Sequence, residues 1–436
     1  MYNEKFFIFK KNSTFYIFHS TFIKMYLRSI TTNTAYQLFG RIVSGFLGFL
    51  VTLLLARNLG SYYFGEYTKI MAFILLFSPV LDFGLNAIYI RESDKQATQT
   101  FSSFLGMRLG MAVFLSCVSS FFILILGVLN RGFSHTVVLG VIIGASFFIT
   151  QAICLTAQAI FQKKLHYDLT TVTLIVDAIV NLILVGFFIR SGFIETAGVF
   201  GAVVAGVVGG GSAAIVSLYF LKKLHFSTTP LMEWGMWQKL ILVSLPFGIT
   251  LLFNTVAFRV DAILLSAFRS SAEVGEYGLA YRFFELFLVL PTFVMNSVYT
   301  LLLTEKRGSK KFWKKFKYIS GGLVVLGMVV SSVVYKGAPF LVFIKSEYLP
   351  AVRLLQMLSL SLPLFFITSP LMWLFLLLKK DRWLPLVYGI GAVVNICLNF
   401  FFIPRFGALA AAIITGVTEL VILASGGVAF LSQKNK

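Results

Sequence analysis

The sequence predicts an all-α protein that crosses a membrane many times, and three observations support this prediction. Of the 436 residues, 58% are hydrophobic and only 12% are charged, whereas a soluble domain has about 45–50% apolar and about 25% charged residues. Apolar runs of about 20 residues, the length of helix that crosses a bilayer, recur along the chain. No stretch after about residue 33 is long and polar enough to fold as a soluble domain.

Twelve membrane spans are predicted from apolar windows that end at basic residues, glycines or prolines. They lie near 34–56, 67–90, 101–129, 136–161, 168–189, 196–220, 239–266, 276–303, 317–335, 350–377, 384–403 and 407–431. An even number of spans places both termini on the same side of the membrane.

The net charge of +20 is distributed unevenly between the loops. Most lysines and arginines fall in the N-terminal arm and in alternate loops, and the other loops hold only Arg57, Arg131, Arg190, Arg269, Lys336, Lys345 and Arg405. The positive-inside rule therefore predicts that both termini are cytoplasmic. The same distribution makes the charge a topological signal, and no nucleic-acid partner is expected.

An internal repeat divides the chain into two halves. Four pairs of segments match in the same order and at nearly one separation: FGEY at 64–67 with VGEY at 274–277, FFIT at 147–150 and again at 365–368, AIVNLILVGFFI at 178–189 with AVVNICLNFFFI at 392–403, and GVFGAVVAG at 198–206 with GALAAAIITG at 407–416. Six spans per repeat predict two six-helix lobes of the same orientation, with a substrate site between them.

These lobes define the expected domains. An N-terminal cytoplasmic or interfacial arm covers 1–33, the first lobe 34–220, a linker 221–238, the second lobe 239–431 and a cytoplasmic tail 432–436. Two interpretations stay open for residues 1–24, which precede a second possible start at Met25: an upstream extension, or an aromatic-rich interfacial segment.

Several segments resemble a known family. LARNLGSYYFGEY (55–67), LDFGLNAIYIRE (81–92), the start of the second half (259–291) and IPRFGALAAAI (403–413) are similar to the polysaccharide-repeat-unit (Wzx-type) flippases. These belong to the multidrug/oligosaccharidyl-lipid/polysaccharide exporter superfamily, and the resemblance covers nearly the whole chain from about residue 30. It implies a MATE-like fold in a bacterial inner membrane and alternating-access transport of undecaprenyl-pyrophosphate-linked oligosaccharide for surface polysaccharide synthesis. It also implies that membrane lipids contact the protein, and that a polysaccharide polymerase and chain-length machinery are candidate partners.

Ionisable residues inside the spans are the candidate site residues, because a charge at membrane depth is expected to face a wet cavity or the bundle interior. Arg41, Arg259 and Arg282 lie on spans 1, 7 and 8, which face the central cleft in the resembling superfamily, and arginine suits a pyrophosphate through its forked donors. The alternative is a local ion pair: Arg282 with Glu285 one turn away, or Arg259 with Asp261. These pairings and the substrate-binding role stay open.

Asp177, Glu419 and Asp261 are candidates for coupling transport to a proton or sodium gradient, because a buried carboxyl group can hold or release a proton near neutral pH. No other cofactor and no metal site are expected. The four histidines, His19, His135, His166 and His225, lie in the arm or in loops, and no catalytic motif is present. The sequence therefore predicts a protein that is not an enzyme.

Two further functions are open from the sequence: a cation-coupled multidrug exporter of the same superfamily, and a membrane-embedded polysaccharide polymerase or glycosyltransferase. The basic residues in the spans favour an anionic substrate over a cationic drug. The short external loops are unlike the large external loop typical of membrane polymerases.

Overall fold

The residues described in a computed structural model of the protein are almost all helical; they are 13–92, 97–129, 132–303, 305 and 308–432. Only the backbone is described for 13–34, 87, 91–92, 97–100, 246, 257, 297, 300–301, 303 and 381. The helices are α1 (Ser13–Asp82), α2 (Leu85–Glu92), α3 (Ala97–Val128), α4 (His135–Gly144), α5 (Phe147–Lys163), α6 (Tyr167–Arg190), α7 (Glu195–Lys223), α8 (Trp234–Phe268), α9 (Ser271–Leu303), α10 (Lys310–Gly337), α11 (Leu349–Leu377) and α12 (Leu384–Leu431). Short 3₁₀ helices lie at Ala338–Phe343, Ser346–Tyr348 and Asp381–Trp383.

Within these described ranges, nine helical segments are long and apolar enough to cross a bilayer, or ten when the bent helix α8 is included. Two of the nine, Ala35–Asp82 and Leu384–Leu431, have 48 residues each, which corresponds to about 72 Å of unbroken helix against a hydrocarbon core of about 30 Å. Each is interrupted by one glycine in a non-helical conformation, Gly60 (φ 73°, ψ 176°) and Gly407 (φ 58°, ψ −143°). If both segments are divided at these glycines, the number of candidate spans among the described residues rises from ten to twelve. That each of the twelve crosses the membrane stays a prediction.

The observed helices correct three predicted boundaries. The backbone of α1 is helical from Ser13, well before the predicted start at 34. The predicted span 67–90 is broken after Asp82, because Phe83 and Gly84 both have positive φ. The predicted span 136–161 is divided into α4 and α5 by a turn at Ala145 and Ser146. The domain boundaries stay predictions, although the predicted linker does contain a non-helical stretch between Lys223 and Trp234.

Carboxylates from elsewhere in the fold stabilise both glycine breaks. After Gly60, the N–H of Ser61 donates to Oε2 of Glu347 at 2.9 Å. After Gly407, the N–H of Ala408 donates to Oε1 of Glu273 at 2.7 Å. The first N–H groups of a helix lack partners within that helix, and a negative charge there interacts favourably with the helix dipole. Each break is therefore a capped helix start.

The two halves meet at repeat-related glycines. Gly65 of FGEY and Gly275 of VGEY occupy the same place in the two repeats, and a side chain at either would overlap backbone of the other half, the carbonyl of Ser271 or that of Ser61. Close beside this contact the buried carboxylate of Glu66 accepts hydrogen bonds from Ser271 and Ser134. Only glycine permits the two backbones to come this close.

Large apolar side chains cover much of the outer surface, among them Val128 (85% exposed), Ile215 (70%) and Phe114 (66%). Such exposure would destabilise a soluble protein, but it suits helices that face lipid. Inside the bundle, small residues let helices pack closely: Gly209 of α7 lies against Asp177 and Asn181 of α6, and Gly416 of α12 against Ser361 of α11.

Candidate functional site

A cluster of charged side chains joins α8 and α9. The Glu285 carboxylate lies between two arginines, with Oε1 2.9 Å from Nη2 of Arg259 and Oε2 3.1 Å from Nη1 of Arg282. Arg282 and Glu285 share one face of α9 because they are three residues apart. The side chains keep 24–37% of their surface exposed, so the charges border an opening and are not enclosed in the core.

This cluster borders a cavity between the two halves. Thr52, Tyr67 and Thr68 of α1 line one side, and Arg259 and Arg282 line the other. The space measures about 40 Å³, enough for a few water molecules and far too small for a sugar pyrophosphate. Any larger ligand here requires the two halves to separate.

Asp261 lies beside the cluster and has different partners. Its side chain is 2% exposed, accepts a hydrogen bond from the hydroxyl of Tyr277, and accepts another from the N–H of Ala262 at 2.7 Å. The partner of Arg259 is therefore Glu285 on the neighbouring helix, and not Asp261 two residues away. Sequence spacing could reveal the Arg282–Glu285 pair, but the second arginine comes from a different helix and reaches Glu285 only through tertiary packing.

The structure does not place Arg41 at this cavity. Arg41 is exposed on α1 and lines a separate cavity of about 690 Å³ with Asp82, Gln158 and Gln162. Three arginines were expected to face one cleft. Arg259 of α8 and Arg282 of α9 do come together, whereas Arg41 of α1 lies at a different cavity.

The candidate coupling carboxylates lie inside the two halves. Asp177 of α6 lines a cavity of about 170 Å³ together with Thr150 and Gln151. Glu419 of α12 is 5% exposed and accepts a hydrogen bond from Thr368 at 2.7 Å. Thr150 and Thr368 end the repeated FFIT motif, so each half holds a carboxylate near the same threonine.

The part of the chain that the structure describes contains no group of three or more His, Cys, Asp or Glu side chains that could hold a metal ion. The cysteines there are all unpaired.

The structure shows that two further charged side chains are buried. Arg108 of α3 is 0% exposed, with Nη2 3.5 Å from Oδ1 of Asp82 and its guanidinium 4.6 Å from the ring of Phe104. Lys69 is 2% exposed and donates to the carbonyl of Gly132 at 2.7 Å. A charged residue within an apolar run identifies Arg108 as a candidate in the sequence, whereas Lys69 falls near the predicted start of a span and gives little signal.

This arrangement, apolar helices enclosing polar cavities around a two-half interface, defines a multi-pass membrane protein with a transporter-like fold. The family described as "Polysaccharide biosynthesis protein" matches residues 30–301. The chain belongs to that family, as the resemblance of its segments predicted.

Relatives with assigned names agree with this membership. The chain is 30% identical over 167 residues to a "Probable flippase AglR" of Haloferax volcanii, covering 36% of this chain and 34% of that protein. It is 24% identical over 406 residues to a "Putative O-antigen transporter" of Shigella dysenteriae, covering 86% of this chain and 93% of that one. The match to AglR thus spans about a third of that relative, whereas the second match is nearly complete.

Solved structures show the fold. The lipid II flippase MurJ in an inward closed conformation superposes with a TM-score of 0.71 at 16% identity, covering 93% of this chain and 87% of MurJ. The MATE multidrug transporter DinF-BH gives a TM-score of 0.66 at 16% identity, covering 92% of this chain and 95% of that one. The predicted MATE-like fold of two related halves is confirmed, and likeness at this identity concerns the fold alone.

Proposed function

We propose that this protein is a flippase that moves undecaprenyl-pyrophosphate-linked oligosaccharide repeat units across the bacterial inner membrane for surface polysaccharide synthesis. The observation that carries the proposal is the position of Arg259 and Arg282 around one carboxylate at the interface of the two halves. Guanidinium groups are well suited to bind pyrophosphate, because their forked donors match its oxygens. One relative is named a probable flippase and the other a putative O-antigen transporter.

The mechanism follows from the small volume of the cavity. Separation of the halves on the cytoplasmic side opens it and exposes the two guanidinium groups to the pyrophosphate. The phosphate oxygens then compete with Glu285 for both arginines. Closure of that side, with opening at the end where Gly65 and Gly275 meet, releases the head group outward. Such rocking of two lobes around a fixed site is alternating access.

Coupling to a proton or sodium gradient is proposed for Asp261, with Asp177 and Glu419 as further candidates. Arg259, Arg282, Glu285 and ionised Asp261 together carry no net charge, and protonation of Asp261 gives the four groups one positive charge. Protonation of Asp261 would therefore change how strongly the cluster attracts pyrophosphate, and such linkage between the two binding events is what coupling to a gradient requires. In vesicles with an imposed gradient, Asp261→Asn should lose gradient dependence, and unchanged dependence in all three carboxylate variants would contradict coupling through them.

The proposal also covers chemistry, orientation and partners, with the orientation taken from the distribution of charge between the loops. The protein performs no covalent chemistry, both termini face the cytoplasm, and its partners are membrane lipids together with the polymerase and chain-length machinery that use the translocated glycan. A terminal reporter active only in the cytoplasm tests the orientation. Activity of a terminal reporter that works only outside the cytoplasm would contradict the proposed orientation.

The deciding experiment locates the lipid-linked glycan by leaflet in cells without this protein, complemented with wild type or Arg259→Ala. We expect the glycan on the cytoplasmic leaflet without the protein and its release by wild type but not by the variant. Lys336→Ala, far from the cluster in sequence, is the control. Normal crossing without the protein, with no redundant flippase, would favour the multidrug-exporter function. Accumulation on the outer leaflet would favour the polymerase.

A further inference from the structure

The cavity of about 690 Å³ in the first half differs chemically from the arginine cluster. Its volume lies within the range of ligand pockets, about 300–1,000 Å³. Side chains with amide, hydroxyl and charged groups from α1, α5 and α6 face it, among them Gln37, Arg41, Gln158, Gln162 and Thr170. Amides both donate and accept hydrogen bonds, so this wall suits a ligand with many hydroxyl groups.

A broken helix forms part of the same wall. α1 ends at Asp82, Phe83 and Gly84 have φ of 40° and 72°, and α2 begins at Leu85. Asp82, Gly84 and Asn86 all line the cavity. The break follows the end of a candidate membrane span at Asp82, and broken helices commonly form substrate sites in transporters.

Several buried polar atoms at and behind this wall make no hydrogen bond within the described residues. Arg108 is 0% exposed and approaches Asp82 to 3.5 Å, yet none of its three guanidinium nitrogens makes a hydrogen bond within the described residues. Oδ1 of Asp82 and Oδ1 of Asn86 are buried and unpartnered in the same way. Such atoms are costly to bury, and Asp82 and Asn86 are also residues of the cavity wall.

In the internal repeat, the second half has no amide at the position of Gln158. Aligning the two FFIT segments places Leu376 at the position of Gln158 and Lys380 at the position of Gln162. The second half therefore builds the same helix with an apolar residue where the first half has an amide. This difference indicates a function particular to the first half.

Helix α1 connects this cavity to the arginine cluster. Ser44 lines the larger cavity and Thr52 the smaller one, and eight residues of helix between them span about 12 Å. Between these two positions, Phe49 packs edge-on against Phe283 of α9, with ring centroids 4.9 Å apart. The larger cavity is thus within a few sugar lengths of the proposed pyrophosphate site.

We infer that the larger cavity is the glycan subsite, which binds the hydroxyl-rich sugars next to the pyrophosphate through Gln37, Asn86, Gln158 and Gln162. This inference rests on the proposed function and adds to it a division of labour: the arginines between the halves hold the pyrophosphate and the first half recognises the sugar.

The test compares two lipids binding to the purified full chain in nanodiscs. The probes are undecaprenyl pyrophosphate and the same lipid carrying one N-acetylglucosamine. We expect wild type to bind the glycosylated lipid more tightly. Gln158→Leu and Gln37→Leu should each lower the affinity for the glycosylated lipid by up to about tenfold. The affinity for the lipid without sugar should be unchanged. Gln356→Leu, on α11 and in the wall of neither cavity, is the matched control.

The outcomes separate the two proposals. Equal affinity of wild type for both lipids, or equal weakening of both lipids by Gln158→Leu, overturns the glycan subsite while leaving the flippase proposal in place. If Arg259→Ala binds neither lipid, the proposed pyrophosphate site is supported. Failure of wild type to bind either lipid overturns the proposed function and the subsite with it. Thermal unfolding of each variant shows whether it is folded.

Discussion

At the scale of single residues, Glu285 is the side chain on which the candidate site depends. It holds Arg259 at 2.9 Å and Arg282 at 3.1 Å, and without it two like charges would remain close together in a region of low dielectric constant. Arg282 with Glu285 could be paired from sequence spacing. Arg259 could not, because its partner lies 26 positions away on the next helix.

We therefore expect Glu285→Gln to lower the thermal stability of the protein in detergent and to stop transport. A double-mutant cycle with Arg259→Gln should give a coupling energy of about 0.5–3 kcal/mol. Glu305 and Lys315, 2.6 Å apart, provide the control pair. Their hydrogen bond lowers the pKa of Glu305, but Lys315 is 42% exposed, so the coupling of this pair should be smaller. Additive effects of the Arg259 and Glu285 substitutions would contradict the interpretation.

At the scale of elements, two glycines convert long apolar runs into separate helices. Gly60 has φ 73° and ψ 176°, a combination available almost only to glycine. The sequence predicted one span on each side of this position, 34–56 and 67–90, because its apolar windows end at basic residues and glycines. It did not predict that the chain would remain helical up to the break, or that a carboxylate distant in sequence, Glu347, would cap the second helix.

Gly60→Ala should destabilise the protein by about 1–3 kcal/mol, because a methyl group makes this backbone conformation strained and would also contact the side chains of Glu347 and Lys345. Gly186→Ala is the matched control, since Gly186 is helical and has open space around its Cα; it should be neutral or slightly stabilising. Thermal unfolding of both variants in the same detergent measures the difference. If the two variants are equally stable, a side chain at position 60 does not strain the backbone there, and the prediction is wrong.

At the scale of the whole molecule, the two halves close against each other through Gly65 and Gly275. These residues occupy equivalent places in the repeat, so the contact lies where an axis relating the halves would pass. Tyr348 adds to this closure by donating its hydroxyl hydrogen to the carbonyl of Ala56 at 3.0 Å. Under the proposed alternating-access mechanism, this contact would form and break in every cycle.

Gly275→Val should block transport with little loss of folded protein, because the added side chain would overlap the carbonyl of Ser61 and hold this end open. Gly186→Val, the same substitution at an open position on α6, controls for the poor helix propensity of valine. Leaflet-resolved detection of the glycan reports the result. Full transport by Gly275→Val would mean that close contact at this end is not part of the cycle.

The sequence by itself determined the membrane class, the helical fold and the two-fold repeat, because hydrophobic periodicity, loop charge and duplicated segments are local properties of the chain. It also identified the ionisable residues inside the spans, since each stands out from an apolar run. Tertiary structure alone decided how these residues are grouped: Arg259 with Arg282 around Glu285, Arg41 in a separate cavity, and Arg108 buried behind Asp82. The reason is that residues far apart in sequence meet only when helices pack, and spacing along one helix cannot show which face meets which neighbour.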